Sequence, residues 1–323
     1  MKNENVNPSQ LPVKERIIKA IHEILPSARQ TAIWVIKITC IVSTLIFLLR
    51  YFNILPYISE ALQPVMNFMG LPGEASLAYV AGYFVNIYST IAAAETLNLS
   101  ARSVTILAVL VMCSHNMIVE TAVQKKIGSS ALRIVLIRTL SGVVLAFLLN
   151  MILPQQQENT QQIVQVANPP FWEMFKEWIF SLLLLCLKML VLIYLLSIIQ
   201  QVINEFGIIK KISKVMKWPL KIFGLPEKTS FLWIIANTLG LAYGAAVMFQ
   251  EKEKGNLTQK QIQLLNSHIS ISHSNLEDLM LFVSIGGVWW IILITRWVGS
   301  IVLVWEERLE FWLRDRYKLQ QGK

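Results

Sequence analysis

Charge is scarce in this sequence, and so are histidine and cysteine. Only 15% of its 323 residues are charged against 54% hydrophobic, a balance more apolar than a soluble globular domain. The three cysteines, Cys40, Cys113 and Cys186, lie in apolar segments without CxxC spacing, so no disulfide framework is expected. Cys113 reads as a small packing residue. No HExxH, phosphate-binding loop or Rossmann glycine pattern occurs, and no enzyme activity or cofactor is expected. The net charge of +9 comes without a nucleic-acid-binding motif. Most basic residues sit between or beyond apolar runs, as on the cytoplasmic face of a membrane protein, so no nucleic-acid partner is expected. The polar start, Met1 to Gln30, lacks the apolar run and small-residue cleavage site of a secretory signal.

What the chain does have is apolar blocks of about 20 residues, enough to cross a hydrocarbon core of roughly 30 Å. They are Thr31–Phe52, Ala75–Ala94, Ser103–Val123, Ala131–Leu153, Ile179–Ile203, Ser230–Phe249, Gln263–Ser284 and Val288–Trp305. The expected fold is an all-α polytopic membrane protein with the lipid bilayer as its main partner. Ile17, Ile18, Ile21, Ile24 and Leu25 share one helical face opposite Arg16, Lys19 and Glu23, which predicts an amphipathic interfacial helix before the first span. The tail Glu306–Lys323, with Leu309, Phe311, Trp312 and Leu313, reads as another.

One polar stretch interrupts an apolar block and then recurs. Ser114-His115-Asn116-Met117-Ile118-Val119-Glu120 is matched, at an offset of 158, by Ser272-His273-Ser274-Asn275-Leu276-Glu277-Asp278. The same offset pairs Asn98-Leu99 with Asn256-Leu257, Ile127-Gly128 with Ile285-Gly286, and Arg138 with Arg296. An offset of 154 pairs Phe52 with Phe206 and Gly70-Leu71-Pro72 with Gly224-Leu225-Pro226. The chain is thus a tandem of two related halves: a first repeat over 31–153, a linker over 154–171 and a second repeat over 172–305. Segments 1–30 and 306–323 flank them.

Charge gives the expected orientation. The connection Tyr51–Ser76 holds Glu60 and Glu74 and no basic residue, whereas its twin Glu205–Ser230 carries Lys210, Lys211, Lys214, Lys217, Lys221 and Lys228. By the positive-inside rule the two lie on opposite sides of the membrane. The linker Pro154–Pro170 has no basic residue and is placed outside, and both basic chain ends are placed in the cytoplasm. These placements fit two inverted-topology repeats in a bacterial cytoplasmic (inner) membrane. They also require one segment in each half to enter and return. Ala75–Ala94, with Gly82, Asn86 and Ser89, and Ser230–Phe249, with Asn237, Gly240 and Gly244, are the candidates, because broken backbone is tolerated only against protein or a water-filled cavity. Ser100 and Thr258 read as matched helix N-caps, the second with Gln261 completing a capping box.

These motifs resemble the Gate-domain ("nucleoside recognition") membrane proteins, which include the spore maturation proteins. The resemblance is carried by Gly-Leu-Pro, by Thr105-Ile106-Leu107 with Met112-Cys113-Ser114, and by Ser-His-Asn-x-x-x-Glu followed by Gln124-Lys125-Lys126-x-Gly128. The chain looks like two such halves fused over roughly residues 30–305. The membrane core of the ferrous-iron permeases is a more distant likeness, with a similar Thr-Ile-Leu run. However, Gly82-Tyr83-Phe84-Val85-Asn86-Ile87 lacks their Gly-Cys-x-Val-Pro pattern, and no soluble GTPase domain accompanies it. The resemblance implies transport of a small solute, nucleosides being the namesake.

Ionisable residues inside an apolar span are costly and are candidates for function. The expected substrate site comprises Ser114, His115, Asn116 and Glu120, their counterparts Ser272, His273, Ser274 and Asp278, and Asn86 and Asn237 from the broken segments. Asn116/Glu120, Ser274/Asp278 and His273/Glu277 are spaced to share helical faces. Arg138 and Arg296 each follow their carboxylate by 18 residues. With Glu277, they stand between structural ion pairing and a coupling role. His268, whose counterpart is Leu110, ranks below the other two, and His22 belongs to the surface helix. Lys37 and Lys188 have no matched counterparts. The reading is a permease for a small polar solute, nucleoside-like or a small organic ion. The alternatives are a divalent-cation permease, with its metal ligands unassigned, or a non-transporting scaffold for cell-envelope assembly. Homo-oligomerisation is left open.

Overall fold

The computed structural model describes residues 12–155 and 170–320. Expectations for residues 1–11, for the linker stretch 156–169 and for 321–323 lie outside the described residues. In chain order the helices are α1 (Val13–Tyr51), α2 (Leu55–Phe68), α3 (Ala75–Phe84), α4 (Ile87–Leu97), α5 (Ala101–Ser114), α6 (Met117–Lys126) and α7 (Ala131–Ile152). Then follow α8 (Phe171–Glu205), α9 (Ile208–Ile222), α10 (Ser230–Thr238), α11 (Leu241–Glu253), α12 (Gln259–Ser272), α13 (Glu277–Ser284) and α14 (Trp289–Gln320). There is no strand among the described residues. The order of one long helix, one short helix, two interrupted pairs and a final long helix occurs twice.

Five helical stretches among the described residues are long and apolar enough to cross a membrane: Val13–Tyr51, Ala101–Lys126, Ala131–Ile152, Phe171–Glu205 and Trp289–Tyr317. The protein is therefore a polytopic all-α membrane protein. Its long helices do more than span. At about 1.5 Å per residue, the 39 residues of α1 exceed the thickness of the hydrocarbon core. The amphipathic start and the first span are one continuous helix passing through Pro26, not two elements. Likewise, the tail from Glu306 continues α14 as far as Gln320 instead of forming a separate helix. In α14 an unbroken run of helix formers offers nothing to stop the hydrogen-bond ladder, and in α1 the helix continues past Pro26 although proline removes one bond of that ladder.

α1 lies along α8, while α7 packs on α5 and α14 packs on both α12 and α5. The centre is α5, in which every residue from Arg102 to Ser114 is buried, and α12, buried from Leu264 to Ser272. A helix as apolar as α5 must be surrounded by other helices, and α12 is enclosed although it carries Asn266, Ser267 and His268. This placement is what positions the polar stretches.

One break per half was expected; each half has two. The expected interruptions are present. Asn86 caps α4, its Oδ1 accepting from Ser89 N at 3.0 Å. In the second half Gly240 (φ 91°) performs the same turn before α11. The segments Ser103–Val123 and Gln263–Ser284, read as continuous spans, are also broken. His115 is extended and Asn116 left-handed (φ 48°) between α5 and α6. His273 is extended and Ser274 left-handed (φ 54°) before α13. The matched N-caps form as expected, Ser100 and Thr258 each accepting from the backbone three residues on, with the Thr258–Gln261 capping box complete.

Candidate functional site

Within each half the second break is tied by a backbone hydrogen bond to the helix before the first, and the bond repeats between halves. Asn116 N donates to Gly82 O at 2.9 Å, and Ser274 N to Ala236 O at 3.0 Å. A Cβ at Gly82 would collide with Thr90, so glycine is needed where α3 receives the second break. Each break also leaves carbonyls at the end of a helix without partners, and a buried helix end needs them satisfied. Two arginines do this. Arg138 Nε donates to Cys113 O and Nη2 to His115 O, both at 2.9 Å. Arg296 Nε donates to Ile271 O at 2.7 Å and Nη2 to His273 O at 2.8 Å. A positive charge at a helix C-terminus is also favoured by the helix dipole. Gly142, one turn after Arg138, lets α7 approach: a Cβ there would stand 2.9 Å from Leu110 O.

The expected pairing of each arginine with its own carboxylate holds in one half only. Arg138 Nη2 lies 2.6 Å from Glu120 Oε2. Arg296 instead donates from Nη1 to Asn275 Oδ1 at 2.7 Å, and no ion pair to Asp278 is present. Asp278 faces the other half, its Oδ2 3.4 Å from His115 Nε2. Asn275 intervenes because it lies in the break itself, held by Ser272 O at 2.8 Å and Asn237 Oδ1 at 2.5 Å.

The two breaks bring both histidines to one place. His115 and His273 stand with ring centroids 5.1 Å apart. Glu120 lies between them, with Oε1 3.2 Å from His115 Nε2 and Oε2 3.2 Å from His273 Nε2. Both rings are buried, and both turn Nδ1 onto a carbonyl of their own helix: His115 to Val111 O at 3.2 Å, His273 to Ile269 O at 2.7 Å. Glu120 and Asp278 occupy the first turns of α6 and α13, where helix dipoles favour negative charge.

Other expected members lie around this centre in different roles. The helical faces read from four-residue spacing are interrupted by the breaks, so His273 and Glu277 go separate ways. Glu277 accepts from Tyr88 OH at 2.5 Å. Ser114 Oγ donates to Leu110 O at 2.7 Å and Ser272 Oγ to His268 O at 2.9 Å, which ties both hydroxyls to their own helices. Asn116 and Ser274 serve through their backbone. Asn86 keeps Nδ2 buried without a hydrogen-bond partner, and Asn237 donates to Trp233 O at 2.8 Å. His268 is fully occupied by Trp233 Nε1 at 3.2 Å, Ser272 Oγ at 2.7 Å and Ser300 Oγ at 3.2 Å, as befits a packing residue. Lys188 pairs with Glu95 at 2.7 Å. Tyr88 and Asn275 were missed as site residues. Tyr88 meets Glu277 across 189 positions of sequence, and no local pattern marks such a pair.

Residues 32–152 match the family model of the Gate domain, described as nucleoside recognition. That is a family of transporter-like membrane proteins, and the match covers the first of the two halves. Over 271 residues the chain is 29% identical to the uncharacterized membrane protein YvoD of Bacillus subtilis (strain 168), spanning 83% of this chain and 87% of that one. No solved structure matches.

Proposed function

We propose that the protein is a permease carrying a small polar or ionic solute through a centre shared by its two halves, which run with inverted topology. The observation that carries this reading is the meeting of His115 and Glu120 with His273 and Asp278, residues 158 apart in pairs, at distances of 3.2 to 3.4 Å. Each arrives at a helix interruption, and non-helical backbone at membrane depth is tolerated where it borders protein or a solute path. Ionisable groups held there are expensive unless they act on a passenger or a coupling ion. The six lysines on and after α9, all exposed, against none in the matched connection around α2, support opposite orientation of the halves.

The test is uptake by proteoliposomes containing the full chain. Nucleosides, small organic acids and divalent cations are the solutes to offer. Wild-type protein should accelerate uptake of one class, and His115→Ala/His273→Ala should abolish it while keeping its elution profile. Equal uptake by wild-type and protein-free vesicles for every class would point instead to the scaffold role.

A further inference from the structure

Building on the permease reading, we infer that His115 Nε2, Glu120 and His273 Nε2 form a binding site for a divalent transition-metal cation, with Asp278 beside the exchangeable position.

The tautomers follow from the hydrogen bonds. A carbonyl oxygen only accepts, so Nδ1 of His115 and of His273 must each carry the proton shared with Val111 O and Ile269 O. In the neutral rings this leaves Nε2 as a bare lone pair. Each Nε2 then faces carboxylate oxygen: Glu120 Oε1 and Asp278 Oδ2 for His115, Glu120 Oε2 for His273. Lone pairs 3.2 Å apart in a buried setting repel; the Arg138 guanidinium offsets this at Glu120 Oε2, and the nitrogen lone pairs still call for positive charge facing them. A proton on Nε2 does not solve this for His273, because Nε2 lacks a hydrogen-bond-aligned partner. Asp278 Oδ2 is likewise buried without a hydrogen bond, while Glu120 Oε2 has the Arg138 guanidinium at 2.6 Å.

A metal ion needs no such alignment, only lone pairs converging at the right spacing. With metal–nitrogen and metal–oxygen bonds of about 2.0–2.2 Å, a tetrahedral site has ligand–ligand edges of about 3.3–3.6 Å. Here His115 Nε2 stands 3.2 Å from Glu120 Oε1 and His273 Nε2 3.2 Å from the other oxygen, Oε2. One donor atom from each of the three residues lies within 4.8 Å of the others, so a small closure onto one oxygen would complete such a set. An imidazole Nδ1 bound to a backbone carbonyl is also the outer-shell arrangement of metal-ligating histidine. Two nitrogens and a carboxylate suit zinc, iron, cobalt or manganese and disfavour magnesium and calcium, which prefer all-oxygen shells.

The site has the features of exchange. Three protein ligands leave a coordination position open, unlike a closed four-ligand structural site, and Asp278 Oδ2 stands 3.4 Å from His115 Nε2 beside it. The Arg138 guanidinium, 2.6 Å from Glu120 Oε2, opposes a second cation and keeps the bound one from being trapped. Both halves supply ligands, so parting them would release the ion.

The experiment is Co2+ titration of the purified full chain in detergent, followed by its ligand-field absorption. Wild type should take up one Co2+ per chain with the spectrum of a low-coordinate nitrogen–oxygen site, displaced by Zn2+ and untouched by Mg2+. His115→Gln and His273→Gln should each weaken binding roughly tenfold or more, the scale seen when metal-site groups are lost. His268→Gln, equally buried but outside the triad, should leave it unchanged. Absence of such a spectrum in wild type, or Co2+ binding by both triad variants as tight as that of wild type, would overturn the assignment. If the triad variants fail to fold, the wild-type chain decides through its melting temperature, which should rise with Zn2+ and not with Mg2+. Organic-solute uptake that depends on these histidines, with no metal bound, would leave the permease standing and remove the metal. Metal bound without flux of any solute would do the reverse.

Discussion

The two halves share a skeleton and differ in what they hang on it. In both, an arginine on the final long helix reaches two carbonyls at the end of a buried helix, and the residue after the histidine bonds back to an earlier interrupted helix. The side chains then diverge. Arg138 also holds Glu120, whereas Arg296 holds Asn275 and frees Asp278 to face His115. Leu110 and Gly142 pack closely in the first half; at the matched positions stand His268 and Ser300, hydrogen-bonded at 3.2 Å. Asn86 caps one broken helix and Gly240 turns into the other. The difference teaches that backbone satisfaction is the repeated element, while the side-chain chemistry is asymmetric around one centre.

The sharpest way to break the comparison is to remove the arginines. Arg138→Ala should cost about 3–5 kcal/mol, because it leaves Glu120 as a buried charge without its partner. Arg296→Ala should cost less, since it orphans carbonyls but no carboxylate. Melting temperatures in detergent check the order, and equal losses would mean that the Glu120 contact contributes nothing. Next come the swaps. Gly142→Ser should destabilise by about 1–3 kcal/mol through overpacking against Leu110 O. Ser300→Gly should lose about 1–3 kcal/mol by leaving His268 Nε2 without its partner. The same thermal measurement applies to both.

The broken helices offer smaller effects. Gly240→Ala should cost about 1–3 kcal/mol, its φ of 91° being hostile to a Cβ, and Asn86→Ala about 1 kcal/mol as a lost cap. Smallest of all, replacing the exposed Lys210, Lys214 and Lys217 by glutamine should leave the melting temperature nearly unchanged. It should nevertheless weaken the fixed orientation of the second half, which labelling of a cysteine placed in α9 from one side of intact cells would report.

Much of this was legible because matched residues recur at fixed spacing in the sequence. The offsets of 154 and 158 place Gly82 opposite Ala236 and Asn116 opposite Ser274, and those four residues make the matched hydrogen bonds. Helices, caps and the breaks at Asn86 and Gly240 carry familiar residue signatures. The breaks at His115 and His273 were hidden because hydropathy reads an apolar run and not its dihedral angles. The one local hint was Asn116, a residue that tolerates the left-handed region. The arginines' bonds to helix-end carbonyls were not foreseen, because side-chain-to-carbonyl bonds leave no partner residue type to recognise. Which carboxylate meets which histidine depended on how α6 and α13 restart, and spacing along a continuous helix does not contain that.

The central claim is that the halves build one centre, and Glu120 with His273 tests it most directly, since these residues come from different halves. A double-mutant cycle of Glu120→Gln and His273→Gln on thermal stability isolates their interaction. A shared centre should give a coupling of roughly 0.5–3 kcal/mol. Losses that simply add, to within about 0.5 kcal/mol, would mean that the two stretches do not act together.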